Sequence, residues 1–108
     1  MNRFMVVSSR DPFAWGDTER IYRLALDLKM RGNDVTLFLV QNGVFAAVRG
    51  AGCVALGEAI AGGVKVLAED FSLRARALPA ANLAHGVSVS PLDSVVDGLA
   101  EGVKTIWH

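Results

Sequence analysis

Residues 24–44, LALDLKMRGNDVTLFLVQNGV, join the back half of an amphipathic helix to a strand that is apolar on both faces, and this passage decides the fold class. Within residues 35–40 only Thr36 interrupts the apolar run, as expected of a strand covered from both sides in the middle of a parallel sheet. Upstream, Ile21, Leu24, Ala25 and Leu28 recur at helical spacing and predict the buried stripe of the helix. Glu19 with Arg23 and Asp27 with Arg31 stand four residues apart on its outer face. Asp17 or Thr18 supplies an N-cap, and Gly32 with Asn33 ends the helix. Gln41 and Asn42 then close the strand at its carboxyl end.

The same alternation extends in both directions. Residues 4–7 predict a first strand, followed by SSRDPFAWGD, a loop that is long for a strand-to-helix connection and therefore a place to look for function. Residues 43–48 and 54–60 predict two short helical pieces separated by Arg49, Gly50 and Gly52, with Cys53 in the break. Val64, Val66 and Leu67 predict a third strand; residues 71–78 predict a short helix ended by Pro79, and residues 87–89 a short fourth strand. Leu92, Val95, Val96 and Leu99 repeat at helical spacing and predict a helix over residues 92–101, before a fifth strand at 103–107. Strands alternating with helices imply one three-layer α/β/α domain over residues 1–108, with a mostly parallel five-stranded sheet of flavodoxin-resembling type.

Composition narrows the function classes. Eleven acidic residues against eleven basic ones give no basic face for nucleic acid. With 52% hydrophobic residues and a mean hydropathy of +0.35, so small a chain carries more apolar surface than it can easily bury, which predicts a homo-oligomer, a trimer or hexamer burying part of residues 43–60. No apolar run is long enough to span a bilayer as a helix, and no leader pattern precedes the first strand, so a cytoplasmic protein is expected. One cysteine leaves no internal disulfide, and His85 and His108 are too scattered for a metal site.

Residues 64–77, VKVLAEDFSLRARA, are the best site candidate, because they place two carboxylates, a hydroxyl and two guanidinium groups at a strand end, where open α/β sheets bind ligands. Glu69 and Asp70 are potential acid and base; the plainer alternative has Asp70 capping the next helix, with Ser72 in the turn and Arg74 or Arg76 as solvated partners. Ser8 and Ser9 follow the first strand where a flavodoxin-like domain would hold phosphate, but the glycines of a dinucleotide or P-loop fingerprint are absent, so a turn-stabilising pair is the better reading and no cofactor is assigned. Asp11, Asp70, Ser88 or Ser90, and Lys104 match a phosphotransfer receiver only loosely, since Lys104 opens the last strand. Cys53 is either a small buried hydrophobe or, where a helix N-terminus lowers its pKa, a nucleophile or sulfur carrier. A pocket around Ser8, Gln41, Asn42, Glu69 and Asp70 for an unrelated small molecule is a third possibility.

MVVSSRDP at residues 5–12, the passage at 24–44, and VKVLAEDFSLRARAL at 64–78 followed by a closing helix and IWH together resemble the DsrE/DsrF-like family, which includes the TusBCD sulfur-relay subunits and small trimeric or hexameric relatives. The resemblance covers nearly the whole chain and implies partners among sulfur-relay proteins. In its sulfurtransferase members a persulfide-bearing cysteine ends the third strand, eight residues before the glycine of an Arg-Gly pair. Aligning that pair with Arg76 and Ala77 places Glu69 at the cysteine position. A carboxylate cannot accept and release sulfane sulfur. The resemblance thus implies either a noncatalytic member or one in which Cys53, which lies before the third strand, has taken over.

Overall fold

The structure, a computed structural model, describes residues 2–108. Five strands, β1 (Arg3–Ser8), β2 (Asp34–Leu39), β3 (Lys65–Glu69), β4 (Val87–Ser90) and β5 (Lys104–Trp107), form one sheet in the order β4-β3-β2-β1-β5. Every pairing is parallel, with Val6 opposite Leu37 and Ile106, Leu37 opposite Val66, and Val66 opposite Val87. Leu37, Phe38 and Leu39 are fully buried, as their double-sided apolar character requires of a central strand.

Alternation along the strands divides the core in two. Helices α1 (Thr18–Met30) and α2 (Val54–Ala61) cover the first face, where Tyr22, Ala25, Leu56 and Ala59 pack against Val6, Leu37, Leu39 and Val66. Helix α4 (Asp93–Ala100) covers the second face through Val95, which packs among Met5, Val7, Phe38, Val40 and Leu67. Helix α3 (Asp70–Ala75) follows β3 directly, and two short 3₁₀ segments, Gln41–Ala47 and Ala80–Asn82, complete the connections. The fold is the three-layer α/β/α arrangement expected, and strand boundaries agree with the periodicity to within one residue, except that β3 runs two residues past Leu67 to Glu69.

Five local expectations are corrected. In α1 the inward stripe is Thr18, Tyr22 and Ala25, while Leu24 is exposed, because the helix turns its large tyrosine into the sheet. Neither Asp17 nor Thr18 caps that helix with its side chain: Asp17 has helical φ/ψ (−85°, −7°), which carries its carboxylate away from the free N–H groups, and it faces His108 Nε2 at 3.9 Å instead. Residues 43–47 belong to a 3₁₀ segment that begins at Gln41, where the chain must turn back tightly enough for Gly43 to lie directly on the Ser8 carbonyl, while Val48 is extended and bridges to Leu83. Finally, only Val95 of the predicted 92/95/96/99 stripe is buried. Gly98 sits so close to the Met5 methyl group that α4 presses on the sheet along Val95 and Gly98, leaving Leu92, Val96 and Leu99 outside.

Helix α3 also stops at Ala75, short of Leu78, since Ala77 adopts a left-handed φ of 53° that no helix can continue. Among the described residues, no helix is long and apolar enough to cross a membrane.

Candidate functional site at the carboxyl end of β3

Strand β3 ends at Glu69, and α3 begins with no intervening loop, so Glu69 and Ser72 lie one helical turn apart. The Ser72 hydroxyl donates to Glu69 Oε1 and accepts the Gln41 N–H at 2.7 Å. That second bond explains the backbone of Gln41, a non-glycine residue with φ of 51°: the left-handed turn aims its N–H at Ser72. Arg76 ties the same two segments from the other side, with Nε donating to Asn42 Oδ1 at 3.0 Å and Nη1 to the Ser72 carbonyl at 3.1 Å. Its guanidinium lies 6.0 Å from the Phe45 ring centre.

Glu69 and Asp70 diverge, as neighbours on a strand-to-helix junction do. Glu69 is only 8% exposed and belongs to the second sheet face, in register with Ser90. Asp70 points outward, pairs with Arg74 at 3.6 Å, and accepts the Phe71 N–H at 2.7 Å. Asp70 therefore satisfies one free N–H from the first helical position, while the capping position itself is held by Glu69, whose side chain makes no cap bond. Glu69, Val40, Gln41, Leu92 and Trp107 line a cleft of about 170 Å³.

The other candidate residues do not converge on this cleft. The Ser8 side chain is fully buried on the first face, in register with Leu39, and its hydroxyl has no partner among the described residues. Ser9 donates both its N–H (2.9 Å) and its hydroxyl (3.2 Å) to the His108 carbonyl, a turn-stabilising role. Cys53 sits before α2 on the first face, in a separate cleft of about 380 Å³ lined by Ala46, Val48, Leu56, Ile60 and His85. Burial pushes its thiol above the ordinary cysteine range; Glu19 adds to this, while the Leu56 backbone hydrogen bond and Arg23 oppose it. The position before a helix thus does not lower the Cys53 pKa here, because burial outweighs it. Val40, Leu92 and Trp107 are site residues that sequence reasoning did not assign, and Arg76, read there as a solvated partner of Asp70, instead binds Asn42 and the Ser72 carbonyl; the alternation of Thr105 and Trp107 with Lys104 and Ile106 was the signal that set Trp107 on the Met5 and Val7 face.

The comparisons bear on the fold. No family model matches the chain, and no curated protein does. Among solved structures, the ychN protein from E. coli superposes with a TM-score of 0.88 at 21% identity, covering 100% of both chains. The chain has the fold of YchN. MTH1491 from Methanobacterium thermoautotrophicum, described as of unknown function, gives a TM-score of 0.76 at 21% identity over 97% of this chain and 96% of its own. BT1422 from Bacteroides thetaiotaomicron, a conserved protein likewise described, gives 0.79 at 15% identity over 98% and 95%. The match to YchN runs end to end, so the fold that carries the β3 to α3 junction is shared.

Proposed function

We propose that this chain is a cytoplasmic, oligomeric DsrE/DsrF-like protein associated with sulfur relay or sulfur oxidation, in which the end of β3 binds a ligand or partner and does not carry sulfur. The observation that carries this reading is Glu69 itself, a buried carboxylate hydrogen-bonded to Ser72 at the strand end where the resembling sulfurtransferases hold a persulfide cysteine. Carboxylate oxygens have no means of accepting and releasing sulfane sulfur. The alignment that equates Glu69 with that cysteine draws support from Ala77, which stands at the family's glycine position and has a backbone φ of 53° that favours glycine. Cys53 is a poor substitute carrier: burial pushes its thiol pKa up, away from the thiolate that sulfur transfer needs, and it faces the opposite side of the sheet. Assembly draws support from Leu92, Val96, Leu99 and Trp107, all exposed around the thinly covered second face.

Incubation with a persulfide donor followed by intact mass spectrometry tests the reading. The protein should gain no stable sulfur atom, whereas Glu69→Cys should load at position 69 if the surrounding loops keep the family's pocket. Loading of the unmodified chain at Cys53 would overturn the proposal.

A further inference from the structure

We infer that the cleft at the end of β3 is a binding site for an organic cation, an ammonium or guanidinium head on a short apolar stem, with Glu69 as its counter-ion. This deepens the proposal above and rests on its reading of the cleft as a binding site. Removing a carboxylate from water is costly unless a positive charge or several donors compensate it. Glu69 has neither. Among the described residues a single donor, the Ser72 hydroxyl, reaches its Oε1, Oε2 has none, and no Lys, Arg or His nitrogen comes within 4.0 Å.

The two guanidinium groups of the same segment are committed elsewhere. Arg74 pairs with Asp70 on the outer surface, and Arg76 is held by Asn42 and the Ser72 carbonyl. Ser72 in turn is fixed by the Gln41 N–H, so its proton is directed at Glu69 Oε1, and Oε2 is left free for a donor that enters from the cleft side. The walls say which kind. Trp107 offers an indole, whose π face attracts cations, and Leu92 and Val40 offer hydrocarbon against which an alkyl stem packs. A hard metal ion would need several oxygen ligands, and among the described residues no three His, Cys, Asp or Glu side chains gather. An anion meets the wrong sign, and a neutral ligand leaves Oε2 without charge compensation.

The probes are n-butylammonium and n-butylguanidinium chloride, with n-butanol and sodium chloride as controls. The chain has two tryptophans, so the Trp15→Phe variant leaves Trp107 as the only indole reporter. Saturable changes in its emission are expected with both cations and not with the controls. Adding Glu69→Gln, which preserves shape and the Ser72 contact, should weaken binding about tenfold or more, the loss of one charge-assisted hydrogen bond. Calorimetric titration of Trp107→Leu should show a matching loss, and circular dichroism confirms that each variant is folded. The cation can also be a Lys or Arg of a second copy. In that case Glu69→Gln lowers the mass measured by light scattering, and millimolar butylammonium does the same to the unsubstituted chain. Equal responses with and without Glu69→Gln, or no response and no change in mass, would overturn the inference. Because sulfur loading of Glu69→Cys is a separate readout, cation binding without loading would fault the sulfur-family reading alone, and loading without cation binding would fault the cation alone.

Discussion

Ser72 and Glu69 are joined across the first turn of α3, the hydroxyl giving its proton to the carboxylate while it accepts the N–H of Gln41 from the neighbouring strand end. One side chain thereby connects β2 to β3 at the point where the sheet opens to ligands, and it does so while fully buried.

Ser72→Ala removes the partner of both groups at once. Leaving the part-buried Gln41 N–H unsatisfied and the buried Glu69 carboxyl without its one protein donor costs about 1–3 kcal/mol, so the urea midpoint should fall with an unchanged slope. By contrast Asp70→Ala, which loses only an exposed ion pair and one local N–H contact, should cost less than about 1 kcal/mol. A loss at Asp70 larger than at Ser72 would contradict the network described.

Ala77 supports the opposite kind of test. Its left-handed backbone costs an L-residue roughly 1–2 kcal/mol, part of which glycine returns as extra freedom in the unfolded chain. Ala77→Gly should therefore raise the melting temperature, with a gain of up to about 1 kcal/mol. A lower melting temperature would remove the structural support for aligning Ala77 with the family's glycine.

Cys53 carries a pH prediction with a definite sign. Its folded pKa lies above the unfolded value because burial disfavours the thiolate, so the folded chain holds its proton over a pH range where the unfolded chain loses it. The stability contributed by this group is complete below the unfolded cysteine pKa and declines as pH rises through the folded one. Thiol reagents should label it slowly in the native protein at neutral pH and quickly after denaturation. Rapid native labelling would reopen Cys53 as a reactive centre.

Helix α4 predicts assembly. Val96 is 59% exposed and Trp107 62% exposed, around a sheet face that this one short helix covers mainly through Val95. Light scattering at micromolar concentration should report a trimer or hexamer, and Val96→Asp should reduce that mass while leaving the fold intact. A monomeric mass for the unsubstituted chain would leave the exposed stripe unexplained.

Much of the architecture was legible because it depends on local period. Residues 35–40 are apolar on both faces and can lie only inside a parallel sheet, and the helices that flank them carry their own stripes and stops. The junction that holds Glu69, Asp70 and Ser72 was legible for the same reason, but its pairing was not: the sequence suggested Glu69 with Asp70, whereas the strand-to-helix turn joins Glu69 to Ser72. Periodicity failed where two solutions were equally helical. It could not tell that α1 would bury Tyr22 and expose Leu24, or that α4 would bury Val95 and Gly98 and leave Leu92, Val96 and Leu99 outside, since that choice is made by the sheet beneath.

By itself, then, the sequence determined the alternating strands and helices, the central position of β2, and a polar junction after β3. Only the tertiary structure decided that Trp107 and Leu92 share a cleft with Glu69, that Ser8 and Cys53 face the other way, and that Gln41 gives its N–H to Ser72. These relationships depend on strand order and on which face each strand turns inward. β5 lies beside β1 although Trp107 and Val7 are far apart in the chain, and such long-range pairings are selected by packing of the whole core, which no local spacing encodes.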